Sequence, residues 1–434
     1  MLPTILAAAV MALVRSLAAL RLQRWHLGAP AAMVLAGILV GLGVENSVVA
    51  VLNTEVAQHA AEIILAFLLF VDATEVRGGR LWGNSPRLVT RMLLVALPLS
   101  LGTAMLVGKL AFPGLSWAMM LVLACVVVPI DFAPSEQVVR DRRLPARVRS
   151  VLNVESGYND GIVSPLFLFA LLLAGGSSTV HTPLDALATA AAQASKAVLA
   201  GLVIGSLVGW LLHQAGRAGW TTEQSRRISV VLTPLIAYTA GVEIGGNGFV
   251  TSFVCGIAFR YVHRVLVARR IRGANAPRPA GGSSTVSRDF GLLEDATALM
   301  TMWFVVGIAA VVTFSTGVSR QAVLFCLAAL TVIRIVPVLV SLVGSPLARR
   351  DRLLLGLLGP RGTTTIVFGL IAFNGLPDGV PADTVLLATV LCVLGSVLFH
   401  GMGSDLMIRR LLPPPVGGGE PADQGMDKAQ ENAK

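Results

Sequence analysis

Residues 122–137 read VLACVVVPIDFAPSEQ, an apolar run that contains Pro129, Asp131 and Pro134. Each proline removes a backbone donor and clashes with the preceding turn, so a helix through this run is expected to break between residues 129 and 134. A simple kink would not need a carboxylate at the bend. Broken helices occur at membrane depth only beside a cavity or inside protein. The stretch therefore predicts a discontinuous membrane helix with a charged group at its centre.

The composition around this stretch is that of an integral membrane protein. The chain has 434 residues, of which 55% are hydrophobic and only 13% are charged, and its mean hydropathy is +0.76. These values lie outside the range of soluble globular proteins. The net charge of +10 would suggest a nucleic-acid partner for a soluble protein, so the placement of the charges has to decide.

Apolar stretches of membrane-spanning length recur along the chain and predict thirteen helices. The first lacks a basic segment before it, so we interpret it as a helix and not as a signal peptide. We expect an all-α polytopic membrane protein with one transmembrane domain over residues 1–412. The segments 273–288 and 413–434 are rich in Pro, Gly and charge and are expected to be disordered. The predicted spans are 3–20, 29–44, 60–76, 87–110, 116–138, 149–174, 187–213, 226–241, 247–266, 290–312, 320–344, 353–374 and 383–408.

Most of the 34 Lys and Arg residues lie in alternate connecting segments. The segments after the odd-numbered spans and the C-terminal tail are basic, whereas the opposite set contains only Lys109 and Arg320. By the positive-inside rule, the odd-numbered helices end in the cytoplasm, with the N-terminus outside and the tail inside. Topology explains the basicity, and no nucleic-acid partner is expected.

A second interruption lies in the twelfth predicted span, where residues 353–373 read LLLGLLGPRGTTTIVFGLIAF. Gly359, Pro360 and Gly362 interrupt the apolar run around Arg361, and three threonines follow. The charge at this break is opposite to the charge at the first break. The pattern predicts a second broken helix.

Two interrupted helices seven spans apart are typical of an inverted repeat. The halves are expected at about residues 1–175 and 226–412, with a linking helix at about 187–213. If the two breaks cross near the middle of the membrane, like dipole ends face each other, and Asp131 and Arg361 are placed to neutralise them. The pairing of the breaks therefore predicts a crossing of two broken helices.

Residues 155–161 read ESGYNDG and lead into an apolar run. Ser156 and Asp160 share a helix face, as do Glu155 and Asn159. A carboxylate with a hydroxyl one turn away and unwound chain nearby supplies hard oxygen ligands for a small cation. Burial raises the pKa of a carboxylate and a bound cation lowers it, so one carboxylate can exchange a proton for an ion. The alternative is a helix start at the membrane surface, but the aspartate lies about 15 Å beyond the basic segment by the helical rise.

Other polar groups within the spans have simpler interpretations. Arg334 lies well inside its span and needs a partner, for which Glu155 is the candidate. Lys196 lies near enough to the end of its helix to reach the outer surface. The four cysteines fall in apolar spans without paired spacing, which favours core packing over a metal or redox site. No cofactor is expected.

Taken in order, these segments resemble the monovalent cation/proton antiporters of the sodium/proton exchanger type, in particular bacterial NhaP-like proteins. The resemblance runs across all thirteen spans, and ESxxND together with a later GPRG is a specific combination. The segments that carry it are PIDFAPSEQVV (129–139), ESGYNDG (155–161), VIRIVP (332–337) and GPRGTTTIVF (359–368).

The resemblance implies a secondary transporter and not an enzyme. It implies exchange of protons for a monovalent cation by alternating access. The implied cation is Na⁺, with Li⁺ or K⁺ as alternatives. It also implies a homodimer in the bacterial cytoplasmic membrane, in which a core domain carrying the ion site moves against a dimerisation domain. The Asn–Asp pair is associated with electroneutral exchange of one cation for one proton.

Carried over residue by residue, the resemblance makes Asp160 the cation ligand and proton carrier, and Ser156 a side-chain ligand. Asn159 is the neighbour that holds the crossing region. Asp72, in FLLFVDATEV, matches an acidic residue near the cytoplasmic funnel. The resemblance further implies an ion pair between Glu155 and Arg334, and it places the charges of two other residues at the crossing, namely Asp131 and Arg361.

The sequence departs from the family pattern at the first break. The family has Thr-Asp-Pro there, whereas this chain has Ile130, Asp131 and Phe132, with prolines at 129 and 134. A hydroxyl ligand or cap is lost. The backbone carbonyl of Ile130 remains as a coordinating group, and the preferred cation is left open.

Two alternatives remain at this point. One is a K⁺-selective or other-solute transporter, or a channel, with the same fold; coupling of cation flux to protons distinguishes it. The other is an intramembrane aspartyl protease in which Asp131 and Asp160 share a proton. Arg334 and Arg361 would suppress that shared proton, and the second broken helix would have no role in it.

Overall fold

The computed structural model describes residues 10, 29–42, 55–75, 85–132, 141, 143–175, 182–274, 299–315 and 317–411. Within these residues the chain is helical and contains no strand. The helices are α1 (Ala29–Gly41), α2 (Glu55–Glu75), α3 (Pro86–Ala111), α4 (Trp117–Val127), α5 (Ala146–Ala174), α6 (Pro183–Arg217), α7 (Glu223–Glu243), α8 (Gly248–Ala274), α9 (Leu299–Ser315), α10 (Arg320–Ser341), α11 (Arg349–Leu357), α12 (Thr363–Gly375), α13 (Val380–Ser396) and α14 (Ser404–Leu411).

The predicted all-α class is confirmed. Every predicted span after the first overlaps a helix, and the first span, 3–20, lies outside the described residues apart from Val10. The segment 273–288 was expected to be disordered, but its first two residues belong to α8, which ends at Ala274. The rest of that segment and the tail 413–434 lie outside the described residues.

Several helices begin at a hydroxyl side chain that caps them. The oxygens of Ser116, Thr182, Thr222 and Ser319 accept backbone N–H groups at the starts of α4, α6, α7 and α10. Such caps satisfy donors that have no partner within the helix. These residues therefore fix where the apolar runs become helical.

The helix lengths and surfaces are those of an integral membrane protein. In the part of the chain that the structure describes, six helices are long and apolar enough to cross a membrane. Helix α6 exposes a row of large apolar side chains that includes Leu199, Val203, Leu207 and Trp210. Apolar side chains on such a surface are stable in contact with lipid.

Close helix packing depends on glycines at two interfaces. A side chain at Gly37 of α1 would overlap the backbone of α9, and Gly307 of α9 meets α1 in the same way. Along α6, Gly201 and Gly205 lie against the backbone of α8. Small residues let helix backbones approach closely, and this contact contributes to helix association in membranes.

The two predicted breaks are present, and a third was not predicted. Helix α4 ends at Val127, and residues 128–132 are not helical. Residues 358–362 separate α11 from α12. Helix α10 was predicted as one span over 320–344, but it is interrupted at Thr331, whose φ of −126° and ψ of −90° are not helical.

Candidate functional site

The two broken segments meet directly. The backbone N–H of Asp131 donates to the carbonyl of Pro360 at 2.9 Å. Backbone groups at the end of one helix and at the start of the next lack intrahelical partners, so such segments need other hydrogen bonds. The contact satisfies one group of each segment and holds the two breaks together.

The Asp131 carboxylate caps α12. Its Oδ2 accepts the backbone N–H of Thr363 at the start of that helix. Gly362 allows this approach, because a Cβ there would be 2.5 Å from the same oxygen. A negative charge near a helix N-terminus is stabilised by the helix dipole. The first broken segment therefore caps α12, the helix that follows the second broken segment.

Arg361 provides the reverse interaction. Its guanidinium donates to the carbonyl oxygen of Val128, to that of Pro129 at 2.9 Å, and to that of Ala329 at 3.1 Å. The first two carbonyls follow the end of α4, and the third lies just before the interruption of α10. A cation at a helix C-terminus opposes the helix dipole. The fully buried Arg361 thus serves two helix ends.

Glu155 and Arg334 form a buried ion pair, as the sequence predicted. The guanidinium donates to both carboxylate oxygens of Glu155, with 2.9 Å for the Nη2–Oε2 bond, and also to the carbonyl of Leu355 at 3.2 Å. Bidentate Arg–carboxylate pairs are geometrically specific. The pair joins α5, α10 and the last turn of α11.

Asn159 connects α5 to the first break. Its Nδ2 donates to the carbonyl of Ile130 at 3.0 Å. The carbonyl that the sequence offers as an ion ligand therefore already accepts a hydrogen bond from the protein. Because a carbonyl oxygen has two lone pairs, one acceptor position of Ile130 is left for an ion.

Asp160 is nearly fully buried, with 3% of its surface exposed. The hydroxyl of Thr364 in the first turn of α12 donates to its Oδ2. Among the residues that the structure describes, its Oδ1 has no hydrogen-bond partner. Ser156 lies one turn earlier on α5 and is half-buried. The structure thus places a carboxylate with unused acceptor capacity beside the N-terminus of a broken helix.

Other buried side-chain oxygens near the breaks also lack a partner within the protein. Buried polar atoms are hydrogen-bonded in the large majority of cases, so a group of exceptions is informative. They lie on α5 and on the first turn of α12, the helices that Asp160 and Thr364 join. The additional oxygens are Asn159 Oδ1, Ser164 Oγ, Thr363 Oγ1 and Thr365 Oγ1.

Two other predicted polar residues take no part in the hydrogen bonds described above. Asp72 is half-buried near the carboxyl end of α2, and the hydrogen bonds described above do not involve it. Lys196 is exposed on α6, and its ammonium donates to the carbonyl of Ile244 at 3.2 Å. The predicted position of Lys196 near a surface therefore agrees with the structure.

Thr364 is the residue that sequence reasoning did not assign to the site. Three consecutive threonines after GPRG are visible in the sequence, but nothing local shows which of them reaches Asp160. The hydroxyl that the family pattern places at the position of Ile130 is absent from this chain. A hydroxyl from the other broken helix contacts the carboxylate instead.

Comparison with solved structures shows the same fold in an antiporter. The sodium proton antiporter MjNhaP1 from Methanocaldococcus jannaschii at pH 8 matches with a TM-score of 0.69 at 16% identity, over 92% of this chain and 99% of that chain. An electron-microscopy map of the same antiporter gives a TM-score of 0.68 at 16% identity, over 97% and 99%. At this level of identity the likeness concerns the fold.

Comparison of sequences finds relatives with similar names. A Na(+)/H(+) antiporter of Schizosaccharomyces pombe is 27% identical over 220 residues, 50% of this chain and 46% of that protein. The uncharacterized Na(+)/H(+) exchanger YjcE of Escherichia coli is 26% identical over 190 residues, 41% of this chain and 33% of that protein. This chain thus matches less than half of the length of either relative.

The family model for the transmembrane sodium/hydrogen exchanger matches residues 6–409, almost the whole chain. Its range includes both broken helices and the segment that carries Asp160. The chain belongs to the sodium/hydrogen exchanger family.

Proposed function

We propose that this protein is a secondary antiporter that exchanges a monovalent cation for a proton at Asp160. The observation that carries the proposal is a buried carboxylate with one oxygen bound to the Thr364 hydroxyl and the other without a partner. An isolated buried charge is costly unless it is neutralised. A proton or a cation neutralises Asp160, and the two compete for the same group.

The proposed ligands are oxygens of the segments that meet at the crossing. Asp160 provides the charge, and Thr364 and Ser156 provide hydroxyl oxygens. The carbonyl of Ile130 provides a further oxygen while Asn159 holds its orientation. Carboxylate, hydroxyl and carbonyl oxygens suit hard cations. Na⁺, Li⁺ and K⁺ all satisfy this chemistry, and they differ in size and ligand number.

The charges at the crossing support an electroneutral exchange. Glu155 pairs with Arg334, while Asp131 and Arg361 each serve helix ends at the crossing. In their ordinary charge states these four groups sum to zero. Asp160 then adds one negative charge, which either one proton or one monovalent cation cancels. The loaded site is neutral in both cases, so we infer one cation for one proton.

Transport requires the site to open to each side in turn. We propose that a core containing the crossing moves against the remaining helices within a homodimer, with Asp72 near the cytoplasmic route. The alternation of basic loops supports an outside N-terminus and a cytoplasmic tail. The resemblance to bacterial NhaP-like proteins supports residence in the cytoplasmic membrane of a bacterium.

Reconstitution into liposomes with an internal pH dye tests the proposal. Gradients of Na⁺, Li⁺ or K⁺ applied one at a time should drive opposite proton movement for at least one ion, and an imposed membrane potential should not change the rate. Asp160→Asn should abolish this flux. Asp383→Asn, which removes an exposed carboxylate on α13, is the matched control and should transport normally.

The remaining alternatives give different results in the same vesicles. Cation flux without proton movement would indicate a channel of this fold, and coupled flux that persists in Asp160→Asn would exclude the site. A protease is disfavoured, because the Asp131 carboxylate accepts the N–H of Thr363 in the manner of a helix cap. Family membership also favours transport over hydrolysis.

A further inference from the structure

A cavity of about 390 Å³ lies beyond the site, between the ends of several helices. Its polar lining comes from Glu62, Gln193, Tyr238 and Asn247. At about 30 Å³ for each water, the volume corresponds to about a dozen waters. The cavity is therefore large enough for an alkali cation with much of its hydration shell.

The position of the cavity follows from two helices that both run from the site towards it. Leu168 and Leu172 of α5 line it, and they lie about 12 to 18 Å beyond Asp160 by the helical rise. Gly375, at the end of α12, also lines it, whereas Thr364 at the start of that helix contacts Asp160. The cavity thus lies on the side towards which α5 and α12 run, which is the outer side in the proposed orientation.

Aromatic side chains of α5, α8 and α12 pack near Asp160 and along the helices that lead to the cavity. Phe167 of α5 and Phe368 of α12 stack with ring centroids 4.5 Å apart, and both are fully buried. The ring of Phe253 on α8 lies against Gly161, where a Cβ would be 2.6 Å from it. Tyr158 meets the same ring edge-on at 5.8 Å. Phe167 and Phe368 thus lie beyond Asp160 and Thr364 on the two helices that lead to the cavity, and Phe253 packs on the glycine next to Asp160.

The chemistry of the cavity suits a cation. The hydroxyl of Tyr238 donates to Oε2 of Glu62 at 2.8 Å, which fixes the carboxylate at the cavity wall. A carboxylate offers about four acceptor positions, of which the Tyr238 hydroxyl takes one. Lys196, at the same end of the molecule, is bonded to the carbonyl of Ile244. Glu62 is the acidic residue in the lining.

We propose that this cavity is the outer vestibule of the transport route and that Glu62 binds the monovalent cation there before it reaches Asp160 or after it leaves. This inference rests on the proposed antiport function. Glu62, Tyr238 and Phe253 are carried by α2, α7 and α8, whereas Asp160 and Thr364 are carried by α5 and α12. Displacement of these two groups of helices would separate Phe253 from Gly161 and open the route.

The test compares transport from the two sides in membrane vesicles of opposite orientation. Glu62→Gln should raise the apparent KM for Na⁺ by about two- to five-fold when Na⁺ is supplied on the cavity side, the range for a partly exposed ion pair. The KM from the opposite side should not change. Gln193→Glu adds a second carboxylate to the cavity and should lower the KM on the cavity side alone.

Glu243→Gln is the matched control, since it removes an exposed carboxylate at the end of α7 and should leave both KM values as they are. An unchanged KM in Glu62→Gln, or an equal change on both sides, would overturn the vestibule while leaving the antiport function intact. Absence of coupled flux in the wild-type protein would instead overturn both. If Glu62→Gln does not reach the membrane, a Gln193→Glu protein with an unchanged KM on the cavity side overturns the vestibule alone.

Discussion

Asp131 and Asp160 lie on neighbouring segments near the crossing and have opposite surroundings. Asp131 accepts the backbone N–H of Thr363 and also donates its own backbone N–H to Pro360. Asp160 has a hydroxyl on one oxygen and, in the described part of the chain, no partner on the other. The first carboxylate is bound to the protein that it stabilises. The second keeps an oxygen on which we propose that the cation binds.

The basic residues at the crossing resemble Asp131, because the protein binds their charged groups. Arg334 and Arg361 are buried, and each donates several hydrogen bonds to carboxylate or carbonyl oxygens. Buried charges are stable only when paired and hydrogen-bonded. The comparison teaches that a charge at membrane depth is not by itself a sign of transport. The number of its protein partners separates a structural charge from a transport site.

The largest expected effect is on transport in Asp160→Asn, which should lose all coupled flux and yet remain folded. The asparagine keeps the shape of the side chain and removes a buried charge that the protein only partly compensates, so the free energy of unfolding should not fall. Unfolding in detergent and flux in liposomes would be measured on the same preparation. A loss of several kcal/mol of stability would place Asp160 with the structural charges.

The next largest effect is on stability in Arg361→Met. Removal of the guanidinium leaves buried carbonyls at two helix ends without a donor, and breaking such a buried charged group costs about 3 to 5 kcal/mol. Arg350→Met, on the exposed start of α11, should change the free energy of unfolding by less than about 0.5 kcal/mol. Equal thermal stabilities for the two variants would refute the structural role.

Substitution of Asp131 should have an intermediate effect on stability. Its size should depend on whether the new side chain keeps an acceptor oxygen. Asp131→Ala removes the cap of α12 and should cost about 1 to 2 kcal/mol of unfolding free energy, whereas Asp131→Asn retains an acceptor oxygen and should cost less. Denaturation of both variants under the same conditions would measure the difference. If alanine and asparagine were equally destabilising, capping would not be the role of this carboxylate.

The smallest effect is expected at Thr364, where the two regions meet. Thr364→Val keeps the shape and removes the hydroxyl bound to Asp160, so the apparent KM for the cation should rise by about two- to ten-fold, equivalent to one hydrogen bond. Thr364→Ser keeps the hydroxyl and should stay near the wild-type KM. Liposome flux at varied cation concentration measures both, and identical KM values for valine and serine would contradict the assignment.

Much of the fold could be predicted from the sequence because its signals are local. Apolar runs of membrane length predicted the helices, and the prolines and glycines near Asp131 and Arg361 predicted the two breaks. The interruption of α10 at Thr331 was missed. That residue is followed by Pro337 only six positions later, and no Gly or Pro lies at the break itself. Its neighbour Ala329 instead meets Arg361 from a distant segment.

The candidate site was predictable in part for the same reason. The spacing within ESGYNDG placed Glu155 and Asp160 on α5, and Arg334, an arginine inside an apolar span, required a partner that proved to be Glu155. The family resemblance suggested a hydroxyl at the first break, where this chain has Ile130. The hydroxyl that reaches the Asp160 carboxylate comes from Thr364, and no local sequence pattern encodes this contact.

By itself the sequence determined that the chain is a helical membrane protein with two interrupted helices and a small set of buried charges. These features follow from hydropathy and backbone chemistry, which act over a few turns of helix. Only the tertiary structure decided the partners. Thr364 meets Asp160 across a separation of 204 residues, and Arg361 reaches Pro129 across 232. Such contacts depend on the register in which distant helices pack, because side chains a turn apart differ by about 5 Å in depth.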